Sequence, residues 1–159
     1  MRIISYSLSR CRHMWCHGIL RKLYSFNIPI KDLVTIYIMY IRNLLEQSCV
    51  VWHSSLTVED KTKLERVQKA SLRIILSDEY TGYEHALQQL GLETLDQRRI
   101  QLCSKFAKAC IKNHQTSSMF PVNTHGKREK YRVQYARTER LKQSAIPYMQ
   151  RLLNNEKSS

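Results

Sequence analysis

Residues 64–76, LERVQKASLRIIL, constrain the fold more than any other stretch because they carry two messages on two faces. At helical spacing Leu64, Val67, Ser71, Ile74 and Ile75 fall on one side, widened by Leu72 and Leu76, while Arg66, Lys69 and Arg73 align on another. A helix of this kind is stable mainly through what its apolar face packs against, so the flanking segments must supply matching apolar faces. Four glycines and three prolines in 159 residues leave few breakers, and period-two stretches are scarce. Together these predict an all-α protein, a small helical bundle of about five helices with an extended basic C-terminal tail.

The flanks meet the requirement. Residues 1–17 have no clean period, but Ile19, Leu20, Leu23 and Phe26 make a short amphipathic helix ended by Asn27-Ile28-Pro29. Residues 30–52 are the strongest apolar segment. Leu33, Ile36, Tyr37, Tyr40, Ile41, Leu44 and Leu45 stand at the spacing of a continuous core face, and Asp32 lies in the first turn. Thr57, with Asp60 three residues on, predicts the N-cap of the central helix. Tyr83 to Leu90 reads as a short helix closed by Gly91. Thr94-x-x-Gln97 is a capping box for a helix over 95–113 with Ile100, Cys103, Phe106, Ala107 and Cys110 inward. Beyond His114 the periodicity is lost until a last short helix over 147–153. The expected organisation is a divergent N-terminal segment 1–18, a helical domain 19–113 and a basic tail 114–159.

The chain carries 26 Lys and Arg against 13 Asp and Glu, a formal charge of +13, and the surplus sits at the ends: +5 over residues 1–28, −2 over 29–93 and +10 over 94–159. Such a surplus implies a polyanionic partner, with nucleic acid ahead of an anionic membrane surface. Five cysteines, an odd number, point to free thiols in a reducing compartment. No signal peptide is visible, and the longest apolar run, 33–41, is far short of a membrane span. The expectation is an intracellular protein of the nucleus or cytoplasm without membrane attachment.

Two constellations fit a nucleic-acid partner. Arg66, Lys69 and Arg73 on the central helix are spaced to touch a phosphate backbone; the plainer reading is a solvated face balanced by Glu65. In the tail, cations interleave with aromatics at Lys127, Arg128, Lys130, Tyr131, Arg132, Tyr135, Arg137, Arg140 and Lys142, so that rings stack on bases while charges track the backbone. The alternatives there are a solubilising tail or a nuclear localisation patch at 127–130. Cys11, Cys16 and His17, or Cys110 and His114, lack the closely spaced cysteine pair of a zinc site. With no Gly-rich phosphate loop, HExxH or Gly-x-Ser-x-Gly, no catalytic residue is nominated, and no metal or cofactor is expected.

The ordered blocks Leu33-Val34-Thr35-Ile36-Tyr37, Tyr40 to Glu46, Trp52-His53-Ser54-Ser55-Leu56-Thr57, Leu64 to Lys69 and Leu72 to Leu76 resemble the C-terminal region of non-LTR (LINE-type) retrotransposon reverse transcriptases. The series continues through Tyr83-Glu84-x-Ala86-Leu87, Leu90 to Leu95 with Arg98-Arg99, Leu102 to Ala107, Arg137 to Arg140, and Ser144 to Tyr148. Arg151 to Asn155 resembles the end of such polyproteins. The resemblance covers residues 19–155; residues 1–17 depart from it, as does Gln47-Ser48. It implies the helical thumb and what lies beyond it, following a polymerase palm absent here together with its Tyr-x-Asp-Asp carboxylates. The implied function is noncatalytic: sequence-nonspecific binding of RNA template, DNA or RNA/DNA hybrid in an RNA-directed DNA polymerase, with the missing palm as a further partner. A reading of a different class is a small helical protein–protein interaction module whose apolar surface docks another protein.

Overall fold

A computed structural model describes residues 15–124 and 130–156. Residues 1–14, which hold most of the expected N-terminal segment, and Lys127 and Arg128 lie outside them. Among the described residues the chain is helical with no strand, a single isolated bridge pairing Val122 with Tyr131. The all-α expectation is met. The chain divides into two compact units, one from Met1–Gln47 and Thr57–Arg98 and the other from Ser48–Leu56 and Arg99–Ser159, a grouping different from the 19–113 domain and 114–159 tail.

The first unit is built around α4 (Val58–Leu76), against which α1 (Trp15–Ser25), α2 (residues 30–46) and α5 (Tyr83–Leu90) pack. α2 begins as Ile30–Ile36, passes through a π-helical stretch, Tyr37–Arg42, and ends as Asn43–Glu46. Its buried residues Leu33, Tyr37, Ile41 and Leu45 recur every fourth position. In a regular α-helix such a row drifts by about 40° per step, because 3.6 residues already complete a turn. The wider π-helical turn reduces that drift and holds the row against one core. This explains a departure from the sequence reading: Tyr40, expected inward, is 72% exposed.

Local chemistry fixes the ends of these helices. Thr57 Oγ1 accepts from the Asp60 N–H at 3.1 Å and donates to the Asp60 carboxylate at 2.8 Å, so α4 starts where the sequence places it. Gly91 closes α5 at φ +63°, a left-handed conformation that favours glycine, while the Leu92 N–H reaches back to the Leu87 carbonyl at 2.8 Å. The α2 run expected to continue to residue 52 stops at Gln47, where Ser48 turns left-handed at φ 53°.

The second unit contains α3 (Cys49–Trp52), most of α6 (Leu95–Lys112), α7 (Glu139–Lys142) and α8 (Ala145–Asn155). Its core joins Ala107 of α6 to Phe120, Tyr131, Met149 and Leu153. Phe120 and Tyr131 meet edge to face with ring centroids 6.5 Å apart. The tail, expected to be extended, is instead tied down, because two amides one turn apart on α8 hold its backbone. Asn154 accepts from the Tyr131 N–H at 2.9 Å and donates to the Tyr131 carbonyl at 3.0 Å. Gln150 accepts from the Gln134 N–H and donates to the Met119 carbonyl, both at 2.7 Å. Each bond satisfies a backbone group that packing against the core would otherwise strand away from water.

If α4 organises the first unit, Leu72→Ala, at a fully buried position, destabilises the protein by about 2–5 kcal/mol. Val58→Ala, at the exposed start of the same helix, stays within about 0.5 kcal/mol. Thermal and urea unfolding of both variants checks the contrast.

Candidate nucleic-acid interface

α4 owes its orientation to Gln68, a polar residue on the face predicted to be apolar. Its side chain is buried with every contact used: Oε1 accepts from the Tyr37 hydroxyl at 2.7 Å, and Nε2 donates to the Tyr83 hydroxyl at 3.1 Å and to the Glu93 carbonyl at 2.9 Å. A buried amide with its hydrogen-bonding capacity met does not carry the desolvation cost of an orphaned one, and it fixes the rotation of the helix that bears it. Leu64, Ser71, Leu72 and Ile75 are buried beside it.

That rotation leaves Arg66, Lys69 and Arg73 exposed. The sequence offered Glu65 as the charge that balances them, yet the structure turns Glu65 the other way. Its carboxylate accepts from the Tyr83 hydroxyl and, at 3.2 Å, from the Leu95 N–H, one of the unpaired donors in the first turn of α6. Burial, then the hydrogen bond to Glu65, pushes the Tyr83 phenol well above its ordinary pKa, so it stays a donor. Thr94 and Gln97 complete this helix start as the expected capping box: the Gln97 N–H reaches Thr94 Oγ1 at 3.3 Å and the Thr94 N–H reaches Gln97 Oε1 at 3.4 Å. Among the described residues no carboxylate pairs with Arg66, Lys69 or Arg73, whereas Lys61 pairs with Asp96 at 3.1 Å and Lys63 with Glu59 at 2.6 Å on the same helix. The three cations form an uncompensated row.

The tail candidates belong to the second unit and do not form one row. Lys130, Arg132, Tyr135, Arg137 and Arg140 are all exposed, Tyr135 at 86%. Arg132 and Tyr135 share the wall of an open cavity of about 370 Å³ with Met119, Ile146 and Gln150. Lys130, Arg137 and Arg140 are not part of that wall. Tyr131 is withdrawn from any stacking role by its burial against Phe120, with the Lys130 ammonium 5.3 Å from its ring centroid.

Two features escaped the sequence reading of α6. Arg99 is fully buried with its guanidinium 6.0 Å from the centre of the Trp52 ring, which makes Trp52 a core residue with a cation against its face. Phe106, expected inward, is 47% exposed. Cys103 and Cys49 are buried thiols in hydrogen-bond contact, and that bond together with burial pushes the Cys103 thiol far up. Among the described residues no three His, Cys, Asp or Glu side chains group to hold a metal ion, and no helix is long and apolar enough to cross a membrane.

No protein-family model, no curated protein and no solved structure matches the chain.

Because Arg66, Lys69 and Arg73 stand free of the core, changing each to Ala leaves stability within about 0.5 kcal/mol. Glu65→Ala costs about 1–3 kcal/mol, since it strips the acceptor from the Tyr83 hydroxyl and the Leu95 N–H. Urea denaturation of the four single variants distinguishes a surface prepared for a ligand from one that serves the fold.

Proposed function

We propose that the chain is a noncatalytic C-terminal, thumb-like piece of a retrotransposon reverse transcriptase that grips an RNA template, DNA or an RNA/DNA hybrid without reading its sequence. The observation that carries the reading is the row Arg66, Lys69 and Arg73, exposed and without a carboxylate partner among the described residues on a helix whose nearest acid is turned inward. Arginine and lysine along one helix face engage phosphates, which set position and affinity rather than base identity. Arg132 and Tyr135, on one cavity wall, add a cation beside an exposed ring, the combination that holds an unpaired nucleotide. Lys130, Arg137 and Arg140 supply diffuse attraction. The chemistry of polymerisation belongs, on this reading, to a palm domain that also completes the binding cleft. Cys49, Cys103 and Cys110, none of them in a disulfide among the described residues, suit a reducing compartment, nucleus or cytoplasm.

A second reading is favoured by one observation. Met39 and Tyr40 stand outward on the π-helical part of α2 at 61% and 72% exposure, an apolar pair suited to docking a protein partner. The two readings differ in their response to salt. Fluorescence anisotropy of a labelled RNA/DNA hybrid across a salt series is expected to show a steep slope. That slope becomes shallower by about two to three in the R66A/K69A/R73A variant, because each lost phosphate contact removes about 0.9. Binding of equal strength and slope in both proteins would remove α4 from the interface, and binding that ignores salt would favour the docking reading.

A further inference from the structure

Residues 101–112 of α6 repeat the logic of α4 in the second unit. Cys103 and Ala107 are buried, while Gln101, Lys105, Lys108 and Lys112 fall on the outward face at helical spacing and are exposed. They line an open groove of about 570 Å³ together with Ser104, Ala109 and Glu156. The groove already holds an anion. The Glu156 carboxylate sits 2.7 Å from Lys108 Nζ through one oxygen and accepts from the Ser104 hydroxyl through the other. Lys108 first, then Ser104, holds that carboxyl below its ordinary range, so it remains charged.

Resting on the nucleic-acid reading above, we infer that this groove is a second seat for the phosphate backbone of a duplex, and that Glu156 occupies part of it in place of a phosphate until nucleic acid displaces it. Four features support the assignment. An ammonium and a hydroxyl converging on one anionic group are the donors that serve phosphate oxygens. Lys105 and Lys112 have no carboxylate partner among the described residues, so two of the three cations are uncommitted on either side of the occupied one. Lys105 to Lys112 span about 10 Å of helix axis. Over that length one strand of a duplex carries about three phosphates. Bulky apolar side chains, which a membrane surface would need, do not line the groove.

The test measures anisotropy of the labelled RNA/DNA hybrid with the parent chain, K105Q/K108Q/K112Q, E156Q and R66A/K69A/R73A, each verified as folded by circular dichroism. The lysine variant is expected to bind at least about tenfold more weakly near 0.1 M salt, with a slope shallower by about two. E156Q is expected to bind about two- to fivefold more tightly, because a competing anion is removed. An unchanged lysine variant beside a weakened R66A/K69A/R73A would overturn the groove and leave the α4 reading intact. A parent chain that binds no hybrid overturns both. E156Q binding no tighter than the parent refutes the displaced carboxylate. If the lysines support binding to phosphatidylserine vesicles and not to the hybrid, the groove is a membrane contact and the inference is wrong.

Discussion

The side-chain amide of Gln68 is the interaction on which the first unit depends. A leucine there would satisfy the helix period equally well, but it would leave the hydroxyls of Tyr37 and Tyr83 and the carbonyl of Glu93 without the amide that serves them. Through those three bonds one residue of α4 addresses α2, α5 and the turn before α6. Apolar packing tolerates small rotations of a helix, whereas a buried amide with three directional bonds does not. The angle of α4 is thereby fixed, and with it which of its residues face water.

That constraint joins the fold to the proposed function. Once Gln68 faces inward, Glu65 lies near the Tyr83 hydroxyl and the start of α6, where its charge meets an N–H and the positive end of a helix. The acid that would have neutralised the basic row is thus occupied elsewhere, and Arg66, Lys69 and Arg73 stand as three unbalanced charges. Exposed cations of this kind contribute little to stability, and in the function proposed above they serve an anion outside the chain. In the second unit α6 shows the same division, with a buried face around Cys103 and Ala107 and a lysine face whose middle member holds Glu156.

Much of this was legible from residues alone, and the legible parts share a cause. Thr57, Gly91 and the Thr94–Gln97 box act within a few positions of themselves, so their bonds follow from local spacing. The exposure of Arg66, Lys69 and Arg73 was legible for the same reason. What escaped depends on distant partners. The π-helical turn that rotates Tyr40 outward has no breaker residue to announce it, and Gln68 looks like a surface residue until Tyr37, Tyr83 and Glu93 arrive around it. Arg99 read as one more cation, yet it is buried against Trp52, almost fifty residues earlier in the chain. The tail read as extended because Gln150 and Asn154, which hold its backbone, look like polar surface residues on a short helix.

In the proposed function the outward face of α4 meets nucleic acid, and lysine footprinting reads that contact at Lys69 itself. The chain is acylated briefly with and without a saturating RNA/DNA hybrid, and mass spectrometry reads the modification of Lys69. The hybrid is expected to shield Lys69 several-fold, and raising the salt to restore its reactivity as the complex dissociates. Equal acylation of Lys69 in the free and hybrid-bound chain would contradict it, because a phosphate backbone seated on this row cannot leave the ammonium between Arg66 and Arg73 open to reagent.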